Sequence, residues 1–237
     1  MKKAIILAAG RGIRLRKYYN LPKCLLNFTS KKISIIERLY NILKKRGFSD
    51  IIVITGYKKK LIEKRLGKKV RYVHFPDYKY NNNLQSLLAA KSELKGAFLC
   101  FFSDLIFDEI IIDKILKKKG DYILAVDCKK VLSGTMRIKK IKNQIIDIGN
   151  HIDVTIGDGN FIGIAKFSNI GASMLKKYLI YEKKNRDDYY TIAIKHIAND
   201  RNTVKFFDCK KYFWKEIDTY KDLYDMRRII RKKVFKY

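Results

Sequence analysis

Short, near-continuous apolar runs recur along the chain, and between them apolar positions return every three or four residues. The first kind predicts strands buried on both faces and the second predicts amphipathic helices. Ala4 to Leu7 reads as a buried strand, and Ile33 to Arg46 as a helix with apolar residues at 35, 36, 39, 42 and 43, stopped by Gly47. Asp50 to Thr55 is a second strand, followed by Gly56 and a basic helix near 58–66. Val70 to His74 makes a third strand, Asn83 to Glu93 a helix, and Ala97 to Phe102 a strand ending at Ser103-Asp104. Strands alternating with helices predict an α/β fold, a Rossmann-like and mostly parallel sheet with helices on both faces.

The second half is less regular. Tyr122 to Asp127 reads as a strand, and Met136 to Ile148 as a hairpin turning at Lys142-Asn143. Phe161 to Phe167 is another strand, followed by helices near 169–181 and 189–199, a strand at 203–208 and a closing amphipathic helix from Thr219 to about Lys232. Proline occurs only at 22 and 76, and no repeat or low-complexity linker interrupts the pattern. One domain over residues 1–237 is expected, with about 128–160 as a small hairpin lid or insertion.

Composition changes this picture little. With 47% hydrophobic and 13% aromatic residues, a packed core is affordable and disorder is excluded for most of the chain. No apolar run reaches the roughly 18–20 residues that span a bilayer. The longest candidates are broken by Asp104 or Glu37, so no membrane insertion is expected. The apolar stretch behind Met1-Lys2-Lys3 is too short for a secretory signal, which makes a cytoplasmic location the default. Cysteines 24, 100, 128 and 209 form no C-x-x-C pair and stand apart from the three histidines, so no zinc site is signalled.

Charge raises a different question. Lys and Arg number 53 against 23 Asp and Glu, a formal net charge of +30, which invites a nucleic-acid reading. The lysines are spread in short clusters such as 58–60 and 117–119, whereas a dedicated nucleic-acid surface concentrates charge on one helix or tail with interspersed aromatics. A solvated lysine-rich surface that steers polyanions such as nucleoside triphosphates is the better reading, and no specific nucleic acid is expected.

The candidate chemistry lies directly after the first strand. Leu7-Ala8-Ala9-Gly10-Arg11-Gly12-Ile13-Arg14-Leu15 is followed by Leu21-Pro22-Lys23-Cys24-Leu25. Small residues there let backbone N–H groups approach a ligand, and the arginines and Lys23 supply charge for phosphates. The pattern is neither Walker A nor G-x-G-x-x-G. It resembles the opening signature L-A-A-G-x-G-x-R-L…P-K of the nucleotidyltransferases that activate phosphorylated sugars and small alcohols. Asn82-Asn83-Leu84-Gln85-Ser86-Leu87 is similar to the N-N-x-x-S-L segment of the branch acting on phosphocholine and 2-aminoethylphosphonate. Ser103-Asp104 stands where the family has its metal aspartate, Asn160 to Ser168 is similar to E-Y-I-G-I-A-x-F-S, and Trp214 to Asp218 to W-x-E-I-D.

The resemblance implies a GT-A-like nucleotidyltransferase fold and a Mg²⁺-dependent reaction joining a nucleoside triphosphate, CTP by the branch, to a small phosphorylated acceptor with release of pyrophosphate. It implies Lys23, Arg14, Asp104 and Asp218 as catalytic, with Asp104 and Asp218 holding the metal. It implies Leu7, Ala8, Ala9, Gly10, Arg11, Gly12, Arg14, Asn82, Asn83, Ser86 and Asp104 around the nucleotide. Asp127, Arg137, Gly163, Asp188, Tyr190, Trp214 and Glu216 would meet the acceptor, as aromatic faces and carboxylates suited to a cationic amine. Asp187 and Tyr189 belong to the same run, while Lys129, Lys130 and Arg137 offer a grip on the acceptor's phosphate. Thr191 stands where many relatives carry an acidic residue, so phosphocholine, aminoethylphosphonate, a phosphorylated amide, glycerol phosphate and inositol phosphate all stay open. The expected role is decoration of a cell-surface polysaccharide, capsule or lipid. The competing readings are a sugar-1-phosphate nucleotidyltransferase using UTP or dTTP, and a basic nucleic-acid-binding protein without catalysis. Monomer and homodimer are both compatible with the chain.

Overall fold

The computed structural model describes residues 2–29, 32–80 and 82–232. Its centre is a nine-stranded sheet in the order β3-β2-β1-β4-β9-β6-β10-β8-β7. These strands are β1 (Lys2–Ala8), β2 (Phe48–Thr55), β3 (Arg71–His74), β4 (Phe98–Phe102), β6 (Tyr122–Asp127), β7 (Met136–Ile141), β8 (Gln144–Gly149), β9 (Gly159–Phe167) and β10 (Val204–Asp208). A separate two-stranded ribbon pairs β5 (Leu105–Phe107) with β11 (Trp214–Glu216).

In the first half β1, β2, β3 and β4 run parallel. A central parallel strand is covered on both faces, so its residues alternate between two cores rather than between core and water. Ile5 and Leu7 of β1 join a core with α4 (Asn83–Ala89), α6 (Asn169–Tyr181) and α7 (Thr191–Asn199). Ala4, Ile6 and Ala8 face the opposite core, with α2 (Ile35–Lys45), α3 (Lys59–Leu66) and α5 (Ile110–Lys117). Helix α2 shows how sequence sets such an element. Ser34 and Glu37 form a reciprocal capping box at its start, the apolar residues 35, 36, 39, 42 and 43 are buried, and Gly47 follows with φ +76°.

The second half departs from the expected mostly parallel pattern, and the sheet as a whole is mixed. β9 runs antiparallel to both β4 and β6, β10 is parallel to β6, and β8 is antiparallel to β10. The expected hairpin forms, with Lys142 in the left-handed region at its turn, and β7 pairs back onto the start of β9. β9, β6, β10, β8 and β7 therefore close a circuit of paired strands. A tight hairpin joins β7 to β8 here, and a tight turn returns a chain antiparallel, whereas a parallel return needs a long crossover. The strands β5 and β11, of three residues each, are too short to carry a periodic signal and escape the sequence reading, as does the helix α5, although its apolar residues 111, 112 and 115 recur at helical spacing. Among the described residues no helix is long and apolar enough to cross a membrane.

Candidate active site

β1 ends inside the sheet, and the chain turns out of it through Ala9, Gly10, Arg11 and Gly12 into the short helix α1 (Ile13–Arg16). Gly12 has φ +56°, a conformation that costs L-residues energy, and a Cβ on it would lie 2.5 Å from Lys23 Cγ. Only glycine leaves room there for the lysine side chain to cross beneath the loop. Pro22 then starts a single turn, Lys23–Leu25, which buries Cys24 and Leu25 and sends Lys23 into the cleft.

Asp104 follows β4 directly. The β5–β11 ribbon pairs Leu105 with Glu216, and the Ile217 N–H donates to the Asp104 carbonyl at 3.0 Å. That pairing brings Asp218 beside Asp104. Lys23 Nζ lies 2.5 Å from Asp104 Oδ2 and 2.5 Å from Asp218 Oδ1, and Arg14 Nη2 lies 2.8 Å from Asp218 Oδ2. Burial by itself would depress the lysine pKa, but the two carboxylates override it and hold Lys23 charged, well above the ordinary range. Glu216 is pushed up to about 8 by burial first and by repulsion from Asp104 and Asp218 next. The Cys24 thiol is raised to about 12 by burial and by Asp104, so it lines the cleft as an inert thiol.

These groups line one cleft of about 710 Å³. All the residues expected around a nucleotide reach it: Leu7, Ala8, Ala9, Gly10, Arg11, Gly12, Arg14, Asn82, Asn83, Ser86 and Asp104, together with Lys23 and Asp218. Asn82 and Asn83 also fasten the cleft wall. Asn82 Nδ2 donates to the Asp187 carbonyl at 3.2 Å, and Asn83 Oδ1 accepts from the Tyr190 N–H at 2.8 Å. Phe75, Tyr78, Lys79 and Tyr80, after β3, line the same end and escaped the sequence reading. The aromatic spacing of Phe75-Pro76-Asp77-Tyr78-Lys79-Tyr80 was the available signal.

The other end differs more from expectation. Of the residues expected there, Asp187, Tyr189 and Glu216 line the cleft, and Asp127, Arg137, Gly163, Asp188, Tyr190 and Trp214 do not. Arg137 is buried and spent on backbone carbonyls: Nε donates to Ile152, Nη2 to Asn150 at 2.5 Å and Nη1 to Leu132 at 3.3 Å. Three of its five N–H groups are committed there, and the side chain is not part of the cleft lining. Asp127 accepts from Trp214 Nε1 at 2.8 Å and from the Lys129 N–H at 2.8 Å, so these two expected residues hold each other outside the lining. Asp188 accepts from Asn185 Nδ2 at 2.7 Å. Tyr190 is fully buried behind the wall, edge-on to Phe102 and Phe161 with ring centroids 6.0 and 6.4 Å away.

In each neighbouring pair it is the other member, Asp187 or Tyr189, that lines the cleft. Gly163, at φ +85°, stands under the Phe102 ring, where a Cβ would be 2.5 Å from ring carbon Cδ2. Its contribution is to seat Phe102. Phe102, Phe161, Gly134, Thr135 and Met136 complete this end. The loop carrying Gly134 and Thr135 is tied by Asn160, whose side chain accepts from the Leu132 N–H at 2.8 Å and from Thr135 Oγ1 at 2.9 Å while donating to the Lys130 carbonyl at 2.6 Å.

Among the described residues no group of three or more His, Cys, Asp or Glu is arranged to hold a metal, so the candidate seat is the Asp104–Asp218 pair. Both are hard oxygen donors already converged on one cation, the Lys23 ammonium, and this donor chemistry fits Mg²⁺.

Residues 4–135, more than half of the chain, match the MobA-like NTP transferase domain. The chain belongs to this nucleotidyltransferase family. It is 34% identical over 130 residues to the choline-phosphate cytidylyltransferase of Streptococcus pneumoniae, covering 53% of this chain and 55% of that protein. It is 22% identical over 242 residues to a bifunctional IPC transferase and DIPP synthase of Aquifex aeolicus, covering 100% of this chain and 53% of that one. The chain thus spans about half the length of these curated relatives. Two solved structures share the family's α/β fold. The CTP:phosphocholine cytidylyltransferase of Streptococcus pneumoniae superposes with a TM-score of 0.81 at 23% identity, over 97% of this chain and 100% of that one. The inositol-1-phosphate CTP transferase of T. maritima gives 0.77 at 20% identity, over 98% and 97%.

Proposed function

We propose that this chain is a cytidylyltransferase that moves CMP from CTP to the phosphate or phosphonate oxygen of a small organic acceptor and releases pyrophosphate. The observation that carries the reading is Lys23, held between Asp104 and Asp218 at the floor of a glycine-loop cleft. The cytidylyltransferase and CTP transferase named above support the choice of CTP.

In the reaction an acceptor oxygen attacks the α-phosphorus, forming one O–P bond as the bond to the bridging oxygen of pyrophosphate breaks. An acceptor phosphate is already a nucleophile, so no general base is needed. The task is to stabilise charge on the α-phosphate and the leaving group. Backbone N–H groups of Gly10 to Gly12, with Arg11 and Arg14, serve the β- and γ-phosphates, and Lys23 serves the α-phosphate. Mg²⁺, when bound by Asp104 and Asp218, neutralises triphosphate charge. At the far end Phe102, Phe161, Met136 and Tyr189 offer apolar faces and Asp187 and Glu216 carboxylates, a lining suited to an amine-bearing or compact aliphatic acceptor.

The chain works as one nucleotidyltransferase domain, with 128–160 supplying the acceptor wall. A cytoplasmic site of action accords with four unpaired cysteines, and the product feeds decoration of a cell-surface polysaccharide or lipid. The test is pyrophosphate release with Mg²⁺, each of CTP, UTP, dTTP and ATP, and a panel of phosphocholine, aminoethylphosphonate, glycerol phosphate, inositol phosphate and glucose-1-phosphate. CTP with a non-sugar acceptor is expected to give turnover that Asp104→Ala abolishes. Turnover confined to UTP or dTTP with the sugar phosphate overturns the reading.

A further inference from the structure

The two carboxylates assigned to the metal already hold a cation. Lys23 Nζ sits 2.5 Å from an oxygen of each, on a side chain only 19% exposed, so the ammonium occupies the space between them. Metal–oxygen distances for Mg²⁺ are about 2.0–2.1 Å, so a divalent ion bridging the same two oxygens needs the same space, and ion and ammonium exclude each other. Arg14 adds a second positive charge on the outer oxygen of Asp218, at 2.8 Å, which further opposes entry of another cation.

We infer that Lys23 is a built-in counter-ion that keeps the metal seat closed until a nucleotide draws its ammonium onto the α-phosphate. The inference deepens the function proposed above, on which it rests for the identity of the nucleotide. Metal and nucleotide then bind cooperatively, because whichever removes the lysine from the carboxylates helps the other. Couplings of this kind are typically about 5–150-fold and reciprocal. The ammonium also gives the paired carboxylates of Asp104 and Asp218 a counter-ion before any ligand arrives. Lys23 therefore has a resting-state role separate from its role on the α-phosphate.

The experiment is an Mn²⁺ titration of nucleotide-free protein, read by the electron paramagnetic resonance of free Mn²⁺, comparing the wild type with Lys23→Gln and Lys23→Met. Circular dichroism and thermal melts are recorded with and without the metal. Both variants are expected to bind Mn²⁺ about tenfold or more tightly than the wild type, the gain expected of a coupling of this size. Their melting temperatures should also rise more on adding Mn²⁺. Adding Asp104→Asn to Lys23→Gln should remove the gained affinity. Equal, measurable binding in all three proteins overturns the lysine's role and leaves the metal seat standing. Binding in none of them overturns both the inference and the metal part of the proposed function, while CTP turnover remains testable separately. A variant that stays unfolded even in Mn²⁺ also overturns it, because the divalent ion then fails to replace the ammonium.

Discussion

The two ends of the cleft are built on opposite plans. At the glycine-loop end the polar side chains face the cavity: Lys23, Arg14, Asp104 and Asp218 pair with one another and stay within reach of a ligand. At the other end Arg137 and Asn160 are spent on the protein itself. Arg137 and Asn160 are register partners on β7 and β9, and both are buried. Between them they grip Leu132 by its carbonyl and its N–H, holding the loop that presents Gly134, Thr135 and Met136. One end presents charge to the cavity, and the other presents a wall that buried polar side chains fix from behind.

The sharpest way to break this comparison is at Gly12. Gly12→Ala puts a methyl into the path of Lys23 and strains a left-handed residue. It is expected to lower kcat by about 100-fold or more, in the range of losing one transition-state donor, with the melting temperature falling only a few degrees. Near-wild-type pyrophosphate release by this variant would show that Lys23 placement is not what the loop protects.

At the opposite end, removal of a tie should act on stability and acceptor together. Asn160→Ala leaves the Leu132 N–H and the Lys130 carbonyl without their partners. A cost of about 2–3 kcal/mol, or roughly 5–10 °C in melting temperature, is expected. Steady-state kinetics with phosphocholine or the acceptor found active should show its KM raised and the KM for CTP unchanged. If both KM values moved equally, the two ends would not be separable.

The smallest effect is expected far from both ends, at Glu37. Burial opposes ionisation of this carboxyl, but the Ser34 hydroxyl and N–H and the Arg65 guanidinium win and hold it below its ordinary value. A carboxylate so depressed adds stability above its unfolded pKa of about 4.3, and that stability is lost as pH falls through the folded value. Glu37→Gln should therefore melt lower than the wild type at pH 7, by under about 1 kcal/mol, with the gap narrowing as pH falls below the unfolded value and turnover unchanged at pH 7. A stability gap that does not narrow on acidification would assign the effect to packing.

The same contrast explains what could be read from sequence. The glycine loop, Pro22-Lys23 and the strand-end Asp104 are local arrangements of residue types whose chemistry is visible in a short window, and the structure brings them to one cleft. The opposite wall depends on which of two adjacent residues turns inward. Asn83 holds the backbone of Tyr190, and this leaves Tyr189 in the cleft and Tyr190 in the core. Nothing in Asp187-Asp188-Tyr189-Tyr190 encodes that choice. Arg137 reads as a free cation in sequence because its partners are backbone carbonyls of loops whose path is set only by tertiary folding.

The β5–β11 ribbon gives the chain an order of completion during synthesis. The glycine loop, Lys23 and Asp104 leave the ribosome before Asp218, together with β1, β2, β3 and β4. Asp218 follows more than a hundred residues later, carried into place by β11. Until that short strand docks, Lys23 has a single carboxylate partner and the cleft has one wall of its floor. A nascent chain can thus present the glycine loop and Lys23 before the second carboxylate, and docking of β11 completes the cluster.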